Sequence, residues 1–143
     1  MTNQRLFKFR IWDAYLKILT QGEGLTVGFT DGKLSEASFY DKENCSRWSA
    51  MDQDLERGNR FFAQQFTGLT DSAGKEIYEG DILKLGSLHY EVMSINSQFI
   101  ATCPNYCRYN WPKFENFARE ARCSKIIGNI FENPELLQPC STK

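Results

Sequence analysis

The chain has 143 residues and a formal net charge of −1, with 41% hydrophobic, 24% charged and 14% aromatic residues. That balance excludes disorder throughout and leaves room for one packed core or two small lobes. It also excludes the overall basic footprint of a duplex-DNA binder; no stretch nears the roughly 20 apolar residues that cross a bilayer; and Arg5, Lys8 and Arg10 interrupt any signal-peptide apolar region.

Residues 5–12 alternate, with Phe7, Phe9 and Ile11 on one face and Lys8, Arg10 and Trp12 on the other. Period two predicts a half-buried strand. Tyr15–Leu19 reads as a short strand pairing back, and Gln21-Gly22-Glu23-Gly24 as a turn. Asp31-Gly32 between the apolar runs Leu25–Phe29 and Lys33–Phe39 predicts a hairpin, because both residues tolerate positive φ. Residues 41–60 are polar and weakly periodic and read as a solvated surface loop with one helical turn. The domain boundary is expected there, between an N-terminal β-rich lobe over 1–60 and a second lobe over 61–143.

Phe61–Leu69 reads as extended, Asp71-Ser72-Ala73-Gly74 as a tight turn, and Lys75–Tyr78 as the returning strand. Further strands are predicted over Ile82–Leu85, Leu88–Ile95 and Gln98–Thr102, with Leu88, Tyr90 and Val92 sharing a face. Pro104 and Pro112 forbid a regular strand over 103–113. Phe114, Phe117, Ala118 and Ala121 then place one apolar stripe on a short helix. Lys125–Phe131 reads as a strand interrupted at Gly128-Asn129, and Asn133-Pro134-Glu135 has the grammar of a helix start. Short strands at this spacing predict a mainly β fold, a barrel or sandwich, with the segment from about 66 to 131 closing a small SH3-like barrel.

Three segments carry a resemblance. They are Phe9-Arg10-Ile11-Trp12-Asp13, the long block from Gln65 to Ile82 (QFTGLTDSAGKEIYEGDI), and Ile127-Gly128-Asn129-Ile130-Phe131-Glu132-Asn133-Pro134-Glu135-Leu136-Leu137. In this order the chain resembles the YopX family of phage and prophage proteins. The resemblance implies a β-rich N-terminal part, a C-terminal SH3-like barrel, a homo-oligomer and a phage or prophage gene. It implies no activity. The block residues also have a structural role to play: Gly68, Gly74, Gly80 and Gly128 at turns or bulges, Asp71 and Asp81 holding turns through backbone hydrogen bonds, and Tyr78, Ile82 and Ile130 filling the barrel.

Few residues point to chemistry. His89 is the single histidine and lies in a predicted strand, so it is expected to be structural. Cys103 and Cys107 have a permissible zinc spacing, but no second close pair completes a site. The five cysteines, odd in number and without an export signal, read as reduced thiols of a cytoplasmic protein. No phosphate-binding or dinucleotide fingerprint occurs. No cofactor, metal or membrane partner is expected.

The candidate binding residues are Tyr106, Arg108, Tyr109, Trp111 and Lys113, which interleave rings and cations in a loop, with Arg119, Arg122 and Lys125 able to extend the strip. Tyr, Trp and Arg are the usual anchors of protein interfaces. The same mixture binds single-stranded nucleic acid, rings on bases and cations on phosphates. The leading expectation is a phage-encoded, non-enzymatic accessory protein. It would bind a host or phage macromolecule in the host cytoplasm, for instance by occupying a host defence factor. The alternatives are a nucleic-acid-binding regulator using that loop and a metal-dependent hydrolase on Glu76, Glu79 and Asp81.

Overall fold

A computed structural model describes residues 8–31, 33–50, 60–96, 98–103 and 113–137. These residues form eleven β-strands, one α-helix and a short 3-10 turn. The chain is mainly β, as expected. It divides into two compact units, Phe7–Gln65 and Phe66–Lys143.

In the first unit, β1 (Phe9–Asp13) lies between β2 (Ile18–Thr20) and the first half of β6 (Phe61–Thr70). All pairings are antiparallel, with Ile11 opposite both Thr20 and Ala63. Trp12 and Ile11 are buried, and so are Arg10 and Asp13. This corrects the half-buried strand read from the alternation. Period two separates the faces of a strand but does not say whether the second face meets water.

β3 (Leu25–Thr30), β4 (Lys33–Asp41) and β5 (Ser46–Ala50) form a three-stranded meander in strand order. The β3–β4 hairpin turns where Asp-Gly predicted it, with Asp31 at a φ of 50°. β5 corrects the loop expected over 41–60. Asp41–Cys45 is a turn whose Asp41 carboxylate accepts from the N–H groups of Glu43 and Asn44, and the chain then returns as a strand along β4. Residues 51–59 lie outside the described residues.

In the second unit, the rest of β6 pairs with β7 (Glu76–Tyr78), Phe66 opposite Tyr78. β8 (Asp81–Leu85), β9 (Leu88–Ile95), β10 (Gln98–Thr102) and β11 (Lys125–Asn129) form an antiparallel sheet in the order β10-β9-β8-β11. A helix, α1 (Phe117–Cys123), precedes β11. Asn116 caps it, accepting from the Arg119 N–H, while Glu120 reaches back to the Asn116 N–H.

One core fills this unit: Ile77, Leu83, Tyr90, Val92, Ala101, Cys103, Phe114 and Ala121. Burying each large aliphatic side chain stabilises by about 1.5–3 kcal/mol. The apolar stripe of the helix is narrower than its spacing suggested. Phe114 and Ala121 are buried and Phe117 is half-buried, but Ala118 is exposed.

Asp71 ties the β6–β7 turn to β11. One carboxylate oxygen accepts from the N–H groups of Ala73 and Lys75, and the other from Ile126 N–H at 3.0 Å. Asp81 does a similar job at the next turn, accepting from Tyr78 N–H at 2.8 Å. The register of β11 shifts between Ile126 and Gly128. A Cβ on Gly128 would run into the Asn133 side chain, which heads the 3-10 turn Pro134–Leu137.

Candidate binding site

The predicted strip falls on the connection between β10 and α1. Of its residues, Tyr106, Arg108, Tyr109 and Trp111 lie outside the described residues, and Lys113 is described. Lys113 is exposed and forms an isolated antiparallel bridge with Thr102 at the end of β10. Phe114 N–H donates to Ala101 O at 3.0 Å, and its ring packs 4.6 Å from that of Tyr90. Cys103 is buried in the same core. The described residues that flank 104–112 therefore lie side by side, Thr102 paired with Lys113, and Cys103 and Phe114 in one core.

Antiparallel register puts Glu91, Thr102 and Lys113 on one face. Burial pushes the Glu91 carboxyl above its ordinary range. Thr102 Oγ1 approaches Met93 Sδ at 3.8 Å. Arg119, Arg122 and Lys125, which would extend the strip, are exposed.

The residues considered for catalysis or metal are engaged structurally. His89 Nδ1 lies 2.8 Å from Leu136 O and donates to it, pinning the 3-10 turn. Asp81 is buried and holds the Tyr78 amide, while Glu76 accepts from the Tyr78 hydroxyl at 3.0 Å. Cys103 faces the core, Cys45 and Cys123 are exposed, and Cys107 lies outside the described residues. Among the described residues no three His, Cys, Asp or Glu side chains are grouped to hold a metal ion.

A second exposed feature went unread in the sequence. The turn between β1 and β2 presents Tyr15 and Leu16, and β2 opens with Ile18; the three are 80%, 57% and 52% exposed. It is held stiffly. Asp13 Oδ1 accepts from the N–H groups of Tyr15 and Leu16 at 2.9 and 3.1 Å. Arg60 grips both carboxylate oxygens of Asp13 at 3.2 and 3.1 Å and packs its guanidinium over the rings of Tyr15 and Phe61. Burial pushes the Asp13 carboxyl up, but the Arg60 hydrogen bond, the two amides and the Arg60 charge together outweigh it and hold the group below its ordinary value. The available signal was Asp13 at the end of a strand, an Asx-turn residue. Its partner Arg60 is 47 positions away and leaves no local trace.

Comparison with known proteins gives one consistent result. The family model described as YopX protein matches residues 8–138. No curated protein matches the chain. The crystal structure of protein EF1440 from Enterococcus faecalis is similar over 94% of this chain and 100% of that one, at 25% identity and a TM-score of 0.61. The crystal structure of protein yopX from Bacillus subtilis is similar over 92% of this chain and 98% of that one, at 18% identity and a TM-score of 0.60. The second likeness is one of fold, and the family match covers nearly the whole chain, so the chain belongs to the YopX family.

Proposed function

We propose that this chain is a phage- or prophage-encoded accessory protein that acts without catalysis, by binding a macromolecule of the host or the phage, a host protein such as a defence factor first among them. The observation that supports this reading is the pairing of Thr102 with Lys113, the described residues on either side of the aromatic and basic stretch of sequence. Binding loops work when a rigid scaffold presents them, because less conformational freedom is lost on binding. The Thr102–Lys113 bridge and the Phe114 anchor hold together the described residues that flank the stretch of sequence carrying Tyr106, Arg108, Tyr109 and Trp111. The commitment of His89, Glu76 and Asp81 to structural hydrogen bonds supports a non-catalytic role.

The test is capture of partners from host lysate with the tagged protein, with and without nuclease, read by mass spectrometry. A stoichiometric protein that survives nuclease is expected, with affinity falling about 30-fold in Trp111→Ala and Arg108→Ala, the size of an interface hot spot. Partners lost with nuclease and with rising salt would move the reading to nucleic acid. Capture unchanged in both variants would sink this choice of site.

A further inference from the structure

Register brings two turns of the first unit together. β3 and β4 are antiparallel with Leu25 opposite Phe39, so the turn that leads into β3 and the turn that follows β4 lie side by side. Gly24 lets them meet. Tyr40 N–H donates to Gly24 O at 3.0 Å, and a Cβ on Gly24 would collide with the Tyr40 carbonyl. Between the turns is an open depression of about 520 Å³. Its lining includes Glu23 from the first turn, Phe39 and Tyr40 from the end of β4, and Asp41 and Glu43 from the second turn.

We infer that this depression binds a guanidinium cation, carried by an arginine side chain or by a free guanidinium compound, with the Tyr40 ring against its flat face and Glu23 and Glu43 accepting its N–H groups. The size suits the ligand, since small-molecule sites run from roughly 300 to 1,000 Å³. The charge suits it too. Three carboxylates face one lysine in the lining, and among the described residues no ion pair joins Lys42 to any of them. Asp41 adds a fixed negative charge, because the Asn44 side chain and the amides of Asn44 and Glu43 hold its carboxyl below the ordinary 3.8. Tyr40 is 47% exposed, and an aromatic ring attracts a cation over its face. Guanidinium fits better than ammonium because it is planar, weakly hydrated and forked, so it stacks on a ring and bonds carboxylates at once. A metal ion fits worse, since among the described residues no three acidic, His or Cys side chains are grouped to ligate one.

Gly24 carries the close approach and Asp41 holds its own turn, so neither is a clean test of the site. Tyr40, Glu23 and Glu43 are exposed and can be changed without touching the core. The site uses none of Tyr106, Arg108, Tyr109 and Trp111, so its test is separate from the capture experiment above.

The experiment is a titration of the full chain with argininamide, followed through backbone amide chemical shifts, at low and at high salt. Argininamide is expected to bind saturably, to shift the amides of residues 21–24 and 39–43, and to bind more weakly at high salt. Citrullinamide has the same shape without the charge and should bind several-fold more weakly. Tyr40→Leu should weaken argininamide about threefold, and the pair Glu23→Gln with Glu43→Gln about fivefold, with the spectrum of the free protein otherwise preserved. A short neutral peptide carrying one arginine separates the two sources. Binding at least as tight as argininamide assigns the cation to a peptide chain, and weaker binding assigns it to a free guanidinium compound. No saturable binding would overturn the inference. So would shifts centred elsewhere, equal binding of citrullinamide, or an affinity that both sets of substitutions leave unchanged.

Discussion

At the scale of single residues, the buried side chains of Asp13, Asp71, Asp81 and Asn129 accept from backbone amides and hold turns. Asp71 is the clearest case. Its two oxygens take three amide hydrogens, from Ala73, Lys75 and Ile126, and the residue is buried. Asp71→Ala leaves those donors without a partner, at a cost of about 2–3 kcal/mol. Asp71→Asn keeps one accepting oxygen and should cost less. Urea unfolding of the two variants checks the order, and equal stabilities would mean that solvent replaces Asp71. This role was legible, because Asp within a Gly-containing turn has few other uses. Arg10 was not. Its guanidinium Nε donates to Gln64 Oε1 at 2.6 Å inside the first unit, on the face the alternation assigned to solvent. The Gln64 Nε2 beside it is buried without an acceptor. Nothing local to Arg10 announces a partner 54 positions on, which is why sequence placed a cation outside and the fold placed it inside.

At the scale of elements, strands bounded by turn chemistry were read with little error, and elements defined by their neighbours were not. The β3–β4 hairpin, β6 to β10 and the helix before β11 follow from Asp-Gly, Gly and apolar periodicity. β5 failed that test because Ser46–Ala50 is polar for a strand, and its order comes from pairing along β4. The Thr102–Lys113 bridge was not legible, because it joins residues across two prolines. The β11 bulge joins both levels. Gly128 gives Asn133 room, and Asn133 leads into the 3-10 turn whose Leu136 carbonyl takes the His89 hydrogen bond. Gly128→Ala should displace Asn133 and destabilise by about 1–3 kcal/mol, the usual cost of overpacking. The further change Asn133→Gly removes the clash and should return part of the loss. Denaturation midpoints of the single and double variants measure it, and a double variant no better than the single would show that Asn133 is not the obstacle.

At the scale of the whole molecule, the carboxylates set how folding responds to pH. Asp13 in one unit and Asp71 in the other are both held below the ordinary value of 3.8. In each, burial acts against the charge. Arg60 with two amides outweighs it at Asp13, and three amides with Lys75 outweigh it at Asp71. A depressed carboxyl stabilises the fold fully above its unfolded value and loses that contribution as pH falls through the folded one. Glu91 acts in the opposite sense. Burial raises it above 4.5, so the fold favours its protonated form, and its contribution is lost as pH rises through the raised value. Three depressed carboxylates, Asp13, Asp71 and the Asp41 that heads the β4–β5 turn, against the one raised carboxyl of Glu91 predict a molecule that weakens toward acid in both units. Unfolding free energies between pH 2.5 and 7 should fall below about pH 4. Asp71→Asn should flatten that acid limb while lowering the plateau. Glu91→Gln should raise stability at pH 7 and leave the acid limb in place. An acid limb unchanged in Asp71→Asn would mean that its amide bonds are as strong to a neutral oxygen as to a charged one.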